Sequence, residues 1–494
     1  MLMKINQAYK FKLKTNTEIE SKIDFYLGCS RFVWNKSLAL IKTRLENRNI
    51  EKIVSKNIII KSKPKEYLPN YNAFSAMLTF WKTTNDCYFL NKAPSQVLQQ
   101  TLKDLDKAAK DAFTKGNNKK FPRFKKKNVS EAGLRFPQGF KIDNNRVFLP
   151  KIGWLNIFKA KKKSRYNLNK IKGEFKSITV KKLADGYYIS VLVKKELEKG
   201  KWSDVADINK LNPVGIDAGV KKIATLSNGF YFKPLNLSKI DKKIAKEQTK
   251  LNLKQHSRKK GDKTKKSKNY IKQNKKIAIL HKKKSDIKYD YLHQLSTAIA
   301  KNHGVIAVEN LKINNMTKSA KGTIESPGSK VKAKSGLNKS ILNQSWSMFY
   351  DMLEYKILLN GGKLIKVNPA RTSQECPACH YTHKDNRKTQ DDFTCISCGF
   401  SINADLAGSI NVIHKALPNF NFKLPQDLRE VMPVEYSSLI RDLNEADGVI
   451  HCQQQESANS VRSYSFSGLL KNPLTLGRGE GQFKVILRYI RYLD

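Results

Sequence analysis

Apolar and basic side chains alternate near the start of the chain. Tyr9, Phe11 and Leu13 are separated by lysines, a period of two that predicts a strand with one buried and one basic face. Thr17-Glu18-Ile19-Glu20 has the pattern of a capping box, in which Thr and Glu side chains satisfy the first free N–H groups of a helix. Apolar residues then recur at helical spacing as far as Leu45, so a long helix is predicted to follow the strand.

A second helix and a group of strands are predicted next. Helical spacing returns from Ser95 to Phe113. Short alternating runs fill 134–157, and a hairpin is predicted over 178–193 with its turn at Asp185-Gly186. The pattern therefore predicts a β module with helices inserted after its first strand.

The pattern changes in the middle of the chain. Short strands are predicted at 214–220, 222–226 and 230–232, and Asn228-Gly229 between the last two is a strong signal for a two-residue hairpin turn. Three short antiparallel strands with a carboxylate, Asp217, on the first are typical of the start of an RNase H-like domain.

Long helices and short apolar strands follow. The segment 238–302 is helical and very basic, and its break at Gly261-Asp262 predicts an antiparallel helical hairpin. The apolar run 305–308 predicts a buried parallel strand that ends in Glu309. Three further elements are predicted: a helix over 341–357, a buried strand over 364–367 and a helix over 404–416.

Four cysteines form two C-x-x-C pairs. Cys376 and Cys379 are separated by fifteen residues from Cys395 and Cys398. Each pair can present two thiolates to one ion, and four thiolates complete a tetrahedron with no open position, so the pattern predicts a structural zinc ribbon. The alternatives are two unrelated cysteine pairs or disulfides. Disulfides are disfavoured because Met1–Lys14 lacks the apolar segment of a signal peptide.

The charge balance predicts a polyanionic partner. The chain has 94 Lys and Arg residues against 42 Asp and Glu, a net charge of +52 at pH 7. Folding does not require such a charge, because self-repulsion opposes compactness, and nucleic acid is the first candidate partner. Biased composition, rich in Lys and Asn, would explain part of the excess. No apolar run approaches the ~20 residues that span a bilayer, so no membrane association is expected.

One short basic segment interleaves cations with aromatic rings. In such a segment the rings can stack on bases while the cations contact phosphates. The alternative is a solvated basic loop with two Phe side chains facing the core, and the global charge favours nucleic-acid contact. The candidate contacts are Phe121, Arg123, Phe124, Lys125, Lys126 and Lys127.

Three carboxylates lie far apart in the sequence but at comparable places in the predicted elements. Asp217 and Glu309 end strands, and Asp405 begins a helix. In an RNase H-like fold these places meet, and clustered carboxylates require cations to be tolerated. Two Mg²⁺ ions about 4 Å apart would neutralise the cluster and hold a scissile phosphate. Taken singly, each residue could instead serve a turn, a loop or a helix N-terminus.

These residues carry a family resemblance. The peptides Gly215-Ile216-Asp217, Val308-Glu309-Asn310 and Asn403-Ala404-Asp405, with the four cysteines, resemble the TnpB (OrfB) family of transposon-encoded RNA-guided nucleases, related to miniature type V CRISPR effectors. The resemblance covers about Met3 to Ala416. Three further peptides support it: Arg31-Phe32-Val33-Trp34-Asn35, Phe121-Pro122-Arg123-Phe124 and Thr372-Ser373. Three positions depart from the family pattern: Ala218, His380 and Leu406-Ala407-Gly408.

The resemblance implies an α/β multidomain organisation, in which a RuvC-type nuclease domain follows an N-terminal wedge barrel. The N-terminal parts are a wedge (oligonucleotide-binding-like) β-barrel at 1–15 plus 128–198 and an inserted helical recognition lobe at 16–127. A linker at 199–212 leads to a RuvC-like nuclease domain at 213–370 plus 399–416, which includes the basic helical hairpin 238–302. A zinc ribbon is inserted at 371–398, and the tail at 417–494 is expected to be disordered.

The expected function is RNA-guided cleavage of DNA beside a short target-adjacent motif, by two-metal-ion phosphodiester hydrolysis. The implied partners are a guide RNA and a double-stranded DNA target, bound by a monomer in the prokaryotic cytoplasm and on the nucleoid. Three alternatives stay open: a miniature type V CRISPR nuclease with the same chemistry, a nuclease-dead RNA-guided repressor, and a DNA-strand transferase of the transposon.

Overall fold

A computed structural model describes residues 3–54, 68–114, 116, 119–127, 133–158, 168–198, 200–254 and 267–420, with two short strands beyond them. The predicted tail lies largely outside the described residues, as does the break at Gly261-Asp262. The helices are α1 (Thr17–Val54), α2 (Tyr71–Thr83), α3 (Ser95–Ala112), α4 (Ser238–Leu253), α5 (Lys268–Asn302), α6 (Ile313–Met316), α7 (Val331–Gln344), α8 (Trp346–Leu359) and α9 (Ala404–Ala416). Short 3-10 helices span Asn85–Lys92, Leu168–Lys170 and Lys384–Asn386.

The strands form three sheets. They are β1 (Met3–Lys14), β2 (Gly133–Phe136), β3 (Lys141–Asp143), β4 (Arg146–Leu149), β5 (Gly153–Ile157), β6 (Glu174–Leu183), β7 (Gly186–Leu197), β8 (Val214–Asp217), β9 (Ala224–Leu226), β10 (Phe230–Phe232), β11 (Val305–Glu309), β12 (Lys363–Val367), β13 (Asp392–Thr394), β14 (Ser401–Asn403), β15 (Val434–Glu435) and β16 (Ile486–Ile490). Every strand predicted from the sequence has a counterpart among them.

The chain divides into two compact units, the first formed mainly by Lys4–Leu197 and the second mainly by Glu198–Gln273 and the residues after Lys283. In the first unit, one sheet has the order β2-β6-β7-β1-β5-β4-β3, with β16 also paired to β1. Helices α1 and α3 pack together beside it, and both share the hydrophobic core of the sheet. The result is the predicted β module with helices inserted after its first strand.

Two local predictions in the first unit were wrong in detail. The N–H of Ile19 donates to Oδ1 of Asn16 at 2.9 Å, so Asn16 caps α1, and Thr17 is already its first residue. An Asn side chain at this position satisfies the same free N–H groups as the predicted capping box. The hairpin turn consists of Ala184 and Asp185, because Leu183 pairs with Gly186.

The second unit is built on a sheet of order β12-β11-β8-β9-β10-β15. Strands β8, β9 and β10 are antiparallel neighbours, whereas β11 and β12 run parallel to β8. Helix α8 packs against β11 and β12, and α9 packs against β8, β11 and β12. Helices therefore cover the sheet, as the apolar strands β8, β9 and β11 require, whereas only Val367 of β12 is buried.

Helices α4 and α5 confirm the helical parts of the predicted basic hairpin. Lys284 binds Asp241 at 2.6 Å, and the Gln273 amide donates to the Glu247 carbonyl at 3.1 Å, so the two helices run antiparallel. The helix predicted over 341–357 is divided into α7 and α8 at Ser345, whose φ of 58° is left-handed. Within the described residues, no helix combines the length and apolarity that crossing a membrane requires.

Candidate active site and zinc ribbon

Two of the three predicted carboxylates end neighbouring parallel strands. Ile216 of β8 is paired with Val308 of β11, so Asp217 and Glu309 occupy the next equivalent positions. Paired strands lie about 4.8 Å apart, and residues in equivalent register project from the same face. The sheet therefore places these two carboxylates side by side at one edge.

Helix α9 covers the face from which both carboxylates project. Gly215 faces this helix, and a Cβ added to it would lie 2.1 Å from the Ser409 carbonyl oxygen. Asp217 shares this face because it is two residues farther along the strand. A Cβ added to Gly408 would lie 3.4 Å from the Asp217 carboxyl carbon. Two glycines thus allow the strand, the helix and the carboxylate to approach closely.

The third carboxylate, Asp405, lies in the first turn of α9. Asn403 caps this helix, because its side chain accepts hydrogen bonds from the N–H groups of Asp405 and Leu406. Asp405 precedes Gly408 by three residues, a spacing that places both on one side of the helix. The helix therefore brings Asp405 to the edge where Asp217 lies.

The charges of Glu309 and Asp405 act on Asp217. Burial, followed by the charges of Glu309 and Asp405, raises the pKa of Asp217 to about 7, while Arg387 opposes the shift. Burial also raises the pKa of Glu309, although the Thr372 hydroxyl and the charge of Lys415 act in the other direction. The cations of the protein at this edge thus neutralise the charge of the three carboxylates only in part.

Two cations from the protein partly neutralise Asp405. Lys222 Nζ lies 3.2 Å from one carboxylate oxygen, and Arg387 lies 3.6 Å from the other. Neither cation was predicted, because Lys222 lies in a connection after β8 and Arg387 lies in the loop between the two cysteine pairs. A third unpredicted residue, Tyr350, is buried on α8, and its hydroxyl has no hydrogen-bond partner within the described part of the chain.

The carboxylate cluster has the donor chemistry of a hard divalent cation site. It offers oxygen ligands from three separate elements, which suit Mg²⁺, Mn²⁺ or Ca²⁺. Burial, followed by the charges of Glu309 and Asp405, raises the pKa of Asp217, and a bound cation would offset the cost of ionising this group. The ligand atoms of the three carboxylates lie farther apart than those of the cysteines. Among the described residues, only the four cysteines form a group of three or more His, Cys, Asp or Glu side chains whose ligand atoms all lie within 4.8 Å of one another.

The four cysteines converge as the sequence predicts. Sγ atoms of Cys376 and Cys398 are 3.7 Å apart, and those of Cys379 and Cys395 are 3.6 Å apart. A tetrahedral zinc with Zn–S bonds of about 2.3 Å requires S···S distances of about 3.8 Å, so the cluster fits this ion. Burial raises the pKa of the Cys376 thiol to about 12. Metal binding therefore has to drive the loss of the thiol proton.

The two cysteine knuckles have the same backbone hydrogen bonds. The N–H of Cys376 donates to the Tyr381 carbonyl, and the N–H of His380 donates back to the Cys376 carbonyl. The second knuckle repeats both bonds with Cys395, Phe400 and Gly399. The left-handed position is occupied by Gly399, with φ of 71°, in one knuckle and by His380, with φ of 59°, in the other. His380 is therefore a backbone position that favours glycine.

The predicted nucleic-acid segment lies against α1. Asn35 donates to the Lys125 carbonyl at 3.0 Å and accepts from its N–H at 2.8 Å. Lys125 Nζ lies 3.6 Å from the centre of the Trp34 ring, and burial lowers the pKa of this lysine. Phe121 packs against the core. Within this segment, the exposed side chains are Arg123, Phe124, Lys126 and Lys127.

Family models match about half of the chain. The "Cas12f1-like, TNB domain" family matches 346–412, the OrfB_IS605 family, described as "Probable transposase", matches 190–320, and the OrfB_IS605 "Helix-turn-helix domain" matches 1–49. In the structure, this last range contains β1 followed by most of the single helix α1.

Two curated relatives each match more than four fifths of the chain. "Putative RNA-guided DNA endonuclease InsQ" of Escherichia coli is 40% identical over 415 residues, which cover 83% of this chain and 92% of that protein. A "Putative RNA-guided DNA endonuclease" of Streptomyces pristinaespiralis is 26% identical over 425 residues, with coverage of 84% and 91%.

Among solved structures, "Cryo-EM structure of the Cas12f1-sgRNA-target DNA complex" has a TM-score of 0.43 and 13% identity, covering 83% of this chain and 98% of that one. The identity of 40% to InsQ, across 92% of its length, shows that the chain belongs to the TnpB (OrfB) family of transposon-encoded RNA-guided nucleases, which is related to miniature type V CRISPR effectors.

Proposed function

We propose that this protein is an RNA-guided DNA endonuclease that cuts DNA beside a short target-adjacent motif. The observation that carries the proposal is the convergence of Asp217, Glu309 and Asp405, from two strands and a helix, at one edge of the sheet. The family to which the chain belongs supports it, because two of its relatives are named as RNA-guided DNA endonucleases.

In the proposed mechanism, the three carboxylates would hold two Mg²⁺ ions. The chemistry that such ions would supply is activation of the attacking water and stabilisation of the leaving 3′ oxygen. The protein fixes the ligands before substrate arrives: the strand ends set Asp217 and Glu309, and the capped helix sets Asp405. The two glycines beside Asp217 keep this edge compact, which limits reorganisation of the carboxylates during the reaction.

We also propose the domain organisation that the family resemblance implied. The order of β8 to β12, three antiparallel strands followed by two parallel ones, supports an RNase H-like (RuvC) domain at 213–370 plus 399–416. The zinc ribbon, 371–398, is inserted in it and carries one structural zinc. The sheet of the first unit corresponds to the wedge barrel, 1–15 plus 128–198, and its helices to the recognition lobe, 16–127.

The proposed partners are a guide RNA and double-stranded DNA. The net charge of +52 supports them, because each neutralised phosphate releases counterions and adds to affinity. Base pairing between guide and target would supply sequence specificity, and the protein would read only the flanking motif. A miniature type V CRISPR nuclease is the second candidate, favoured by the match of 346–412 to a Cas12f1-like domain.

The experiment is guide identification followed by cleavage. We expect the protein, expressed with its flanking genomic DNA, to co-purify with one RNA species that extends beyond the coding region. The complex should then cut a plasmid library at sites that match this RNA and share one flanking motif. Recovery of only random RNA fragments, with no matched cleavage, would refute the proposal. A guide that derives from a repeat array would favour the second candidate.

A further inference from the structure

A buried threonine contacts one of the catalytic carboxylates. The Thr372 hydroxyl donates to Oε1 of Glu309 at 2.6 Å, and both residues are buried. A hydrogen bond to a buried carboxylate is short and strong because it stabilises charge that water cannot reach. Thr372 therefore fixes the position of one oxygen of Glu309.

The hydroxyl has a second neighbour, the Pro369 carbonyl oxygen, at 2.9 Å. A threonine hydroxyl has one proton, so it can fully donate to one acceptor at a time. The shorter distance and the charge of the acceptor favour Glu309. A purely local role for Thr372 in its own turn would leave the properties of Glu309 unchanged, so the two roles can be separated.

Thr372 is itself fixed by helix α9. The Asn411 amide, buried on α9, donates to the Thr372 carbonyl at 2.8 Å and to the Glu375 carbonyl at 2.7 Å. Glu375 immediately precedes Cys376, the first zinc ligand of the ribbon. The loop that enters the ribbon is thus bound to the helix that carries Asp405 and, through Thr372, to Glu309. Hydrogen bonds thus join this loop to one carboxylate, Glu309, and to the helix that carries Asp405.

We infer that Thr372 is a positioning residue that orients Glu309 for metal binding and couples this carboxylate to the ribbon. The inference rests on the proposed nuclease function, because it assigns Glu309 to the metal site. Because the hydroxyl holds Oε1, rotation of the Glu309 carboxylate is restricted. Partners that orient a metal ligand commonly change metal affinity about 10- to 100-fold when they are removed.

The test compares Thr372→Val, which keeps the shape but removes the hydroxyl, with Thr372→Ser, which keeps the hydroxyl. Each is prepared as the guide-loaded protein, beside Ser373→Ala as a control for changes in the same loop. The measurements are the Mg²⁺ concentration for half-maximal cleavage, Mn²⁺ binding that Asp217→Ala abolishes, target binding in EDTA, and zinc content.

We expect Thr372→Val to need about 10-fold more Mg²⁺ and to bind Mn²⁺ about 10-fold more weakly. Its zinc content and target binding should match the wild type. Thr372→Ser and Ser373→Ala should stay within about 2-fold of the wild type in every measurement, since neither removes the hydrogen bond. Rescue by serine is the result that a packing role would not produce.

Three outcomes would overturn the inference: a Thr372→Val protein with wild-type metal dependence, a serine variant as impaired as the valine variant, or loss of zinc from the valine variant. The last would mean that Thr372 serves the folding of the ribbon. Failure of the wild type to cut any matched target would refute the proposed function instead. In that case the Mn²⁺ binding of the same variants still decides whether Thr372 orients Glu309.

Discussion

The four-cysteine cluster, which is the proposed zinc ribbon, and the carboxylate cluster lie in one unit but are assembled in different ways. The four cysteines come from two short knuckles, so local spacing determines their geometry. The three carboxylates come from two strands and a helix separated by about a hundred residues each. A cysteine cluster of this type needs its metal in order to fold. A carboxylate cluster is instead positioned by the fold, and the repulsion between its charges destabilises the folded state.

This difference predicts opposite effects on stability when a ligand is removed. Cys376→Ser should have the largest effect, with loss of about one zinc per chain and several kcal/mol of stability in the second unit, because metal binding and folding of the ribbon are coupled. Elemental analysis and thermal melting would measure it. The matched control is Cys87→Ser, a buried cysteine of the first unit, which should retain the zinc. A zinc-free wild type that melts normally would contradict the account.

Gly215→Ala tests how the fold positions the carboxylates. A new Cβ would lie 2.1 Å from the Ser409 carbonyl, so β8 and α9 have to separate. We expect a loss of roughly 2 to 4 kcal/mol in denaturant unfolding, and lower cleavage, without loss of zinc. Gly336→Ala is the control, because its Cβ would meet open space on an exposed helix. Equal effects of the two substitutions would show that the close contact of strand and helix is unimportant.

The pH dependence of the metal-free protein tests the charge repulsion. The pKa of Asp217 rises from 3.8 to about 7 on folding, so between these values the native state holds a proton that the unfolded state has released. Stability therefore falls as pH rises through this window. Asp217→Asn removes this contribution. In EDTA, the free energy of unfolding of Asp217→Asn minus that of the wild type should therefore be roughly 1 to 3 kcal/mol larger at pH 7.5 than at pH 5.0.

Comparing the two proteins at each pH cancels the contributions of other groups. These include His303, whose pKa burial lowers to about 4 and which acts in the opposite direction. A difference between Asp217→Asn and wild type that does not change with pH would show that Asp217 is ionised without cost. The cluster would then not need a cation for charge neutralisation.

The smallest expected effect on stability comes from the residue in which the two cysteine knuckles differ. His380 holds the left-handed conformation that Gly399 holds in the other knuckle. His380→Gly should therefore stabilise the zinc-bound protein by about 0.5 to 1 kcal/mol, as relief of strain exceeds the entropy lost by glycine. Thermal melting at fixed zinc would detect it, with Gly399→Ala expected to be destabilising. A destabilised His380→Gly protein would mean that the ring contact with His414 outweighs the strain.

The sequence predicted the elements of the site better than their connections. Apolar runs that end in Asp217 or Glu309 identify buried strands, because burial on both faces leaves a continuous apolar pattern. The paired C-x-x-C spacing likewise predicted the cysteine cluster. In contrast, Lys222, Arg387 and Thr372 contact the carboxylates through long-range packing, and no local pattern records which loop meets which strand.

The basic segment 121–127 shows the same limit. Its composition predicted six nucleic-acid contacts, but composition does not reveal that Lys125 stacks on Trp34 or that Phe121 joins the core. Asn35, which binds both backbone groups of Lys125, is ninety residues away. For these reasons nucleic-acid contact stays a prediction, with Arg123, Phe124, Lys126 and Lys127 as its exposed candidates.

The central claim is that Asp217, Glu309 and Asp405 are required for DNA hydrolysis and do not stabilise the fold. The most direct test is cleavage of a plasmid by guide-loaded Asp217→Ala, beside gel-shift binding of the same target at matched salt. Glu325→Ala, an exposed carboxylate in the second unit, is the control. The account predicts no Mg²⁺-dependent cleavage by Asp217→Ala with target binding unchanged, and wild-type behaviour of the control. Full cleavage by Asp217→Ala, or loss of target binding together with cleavage, would contradict it.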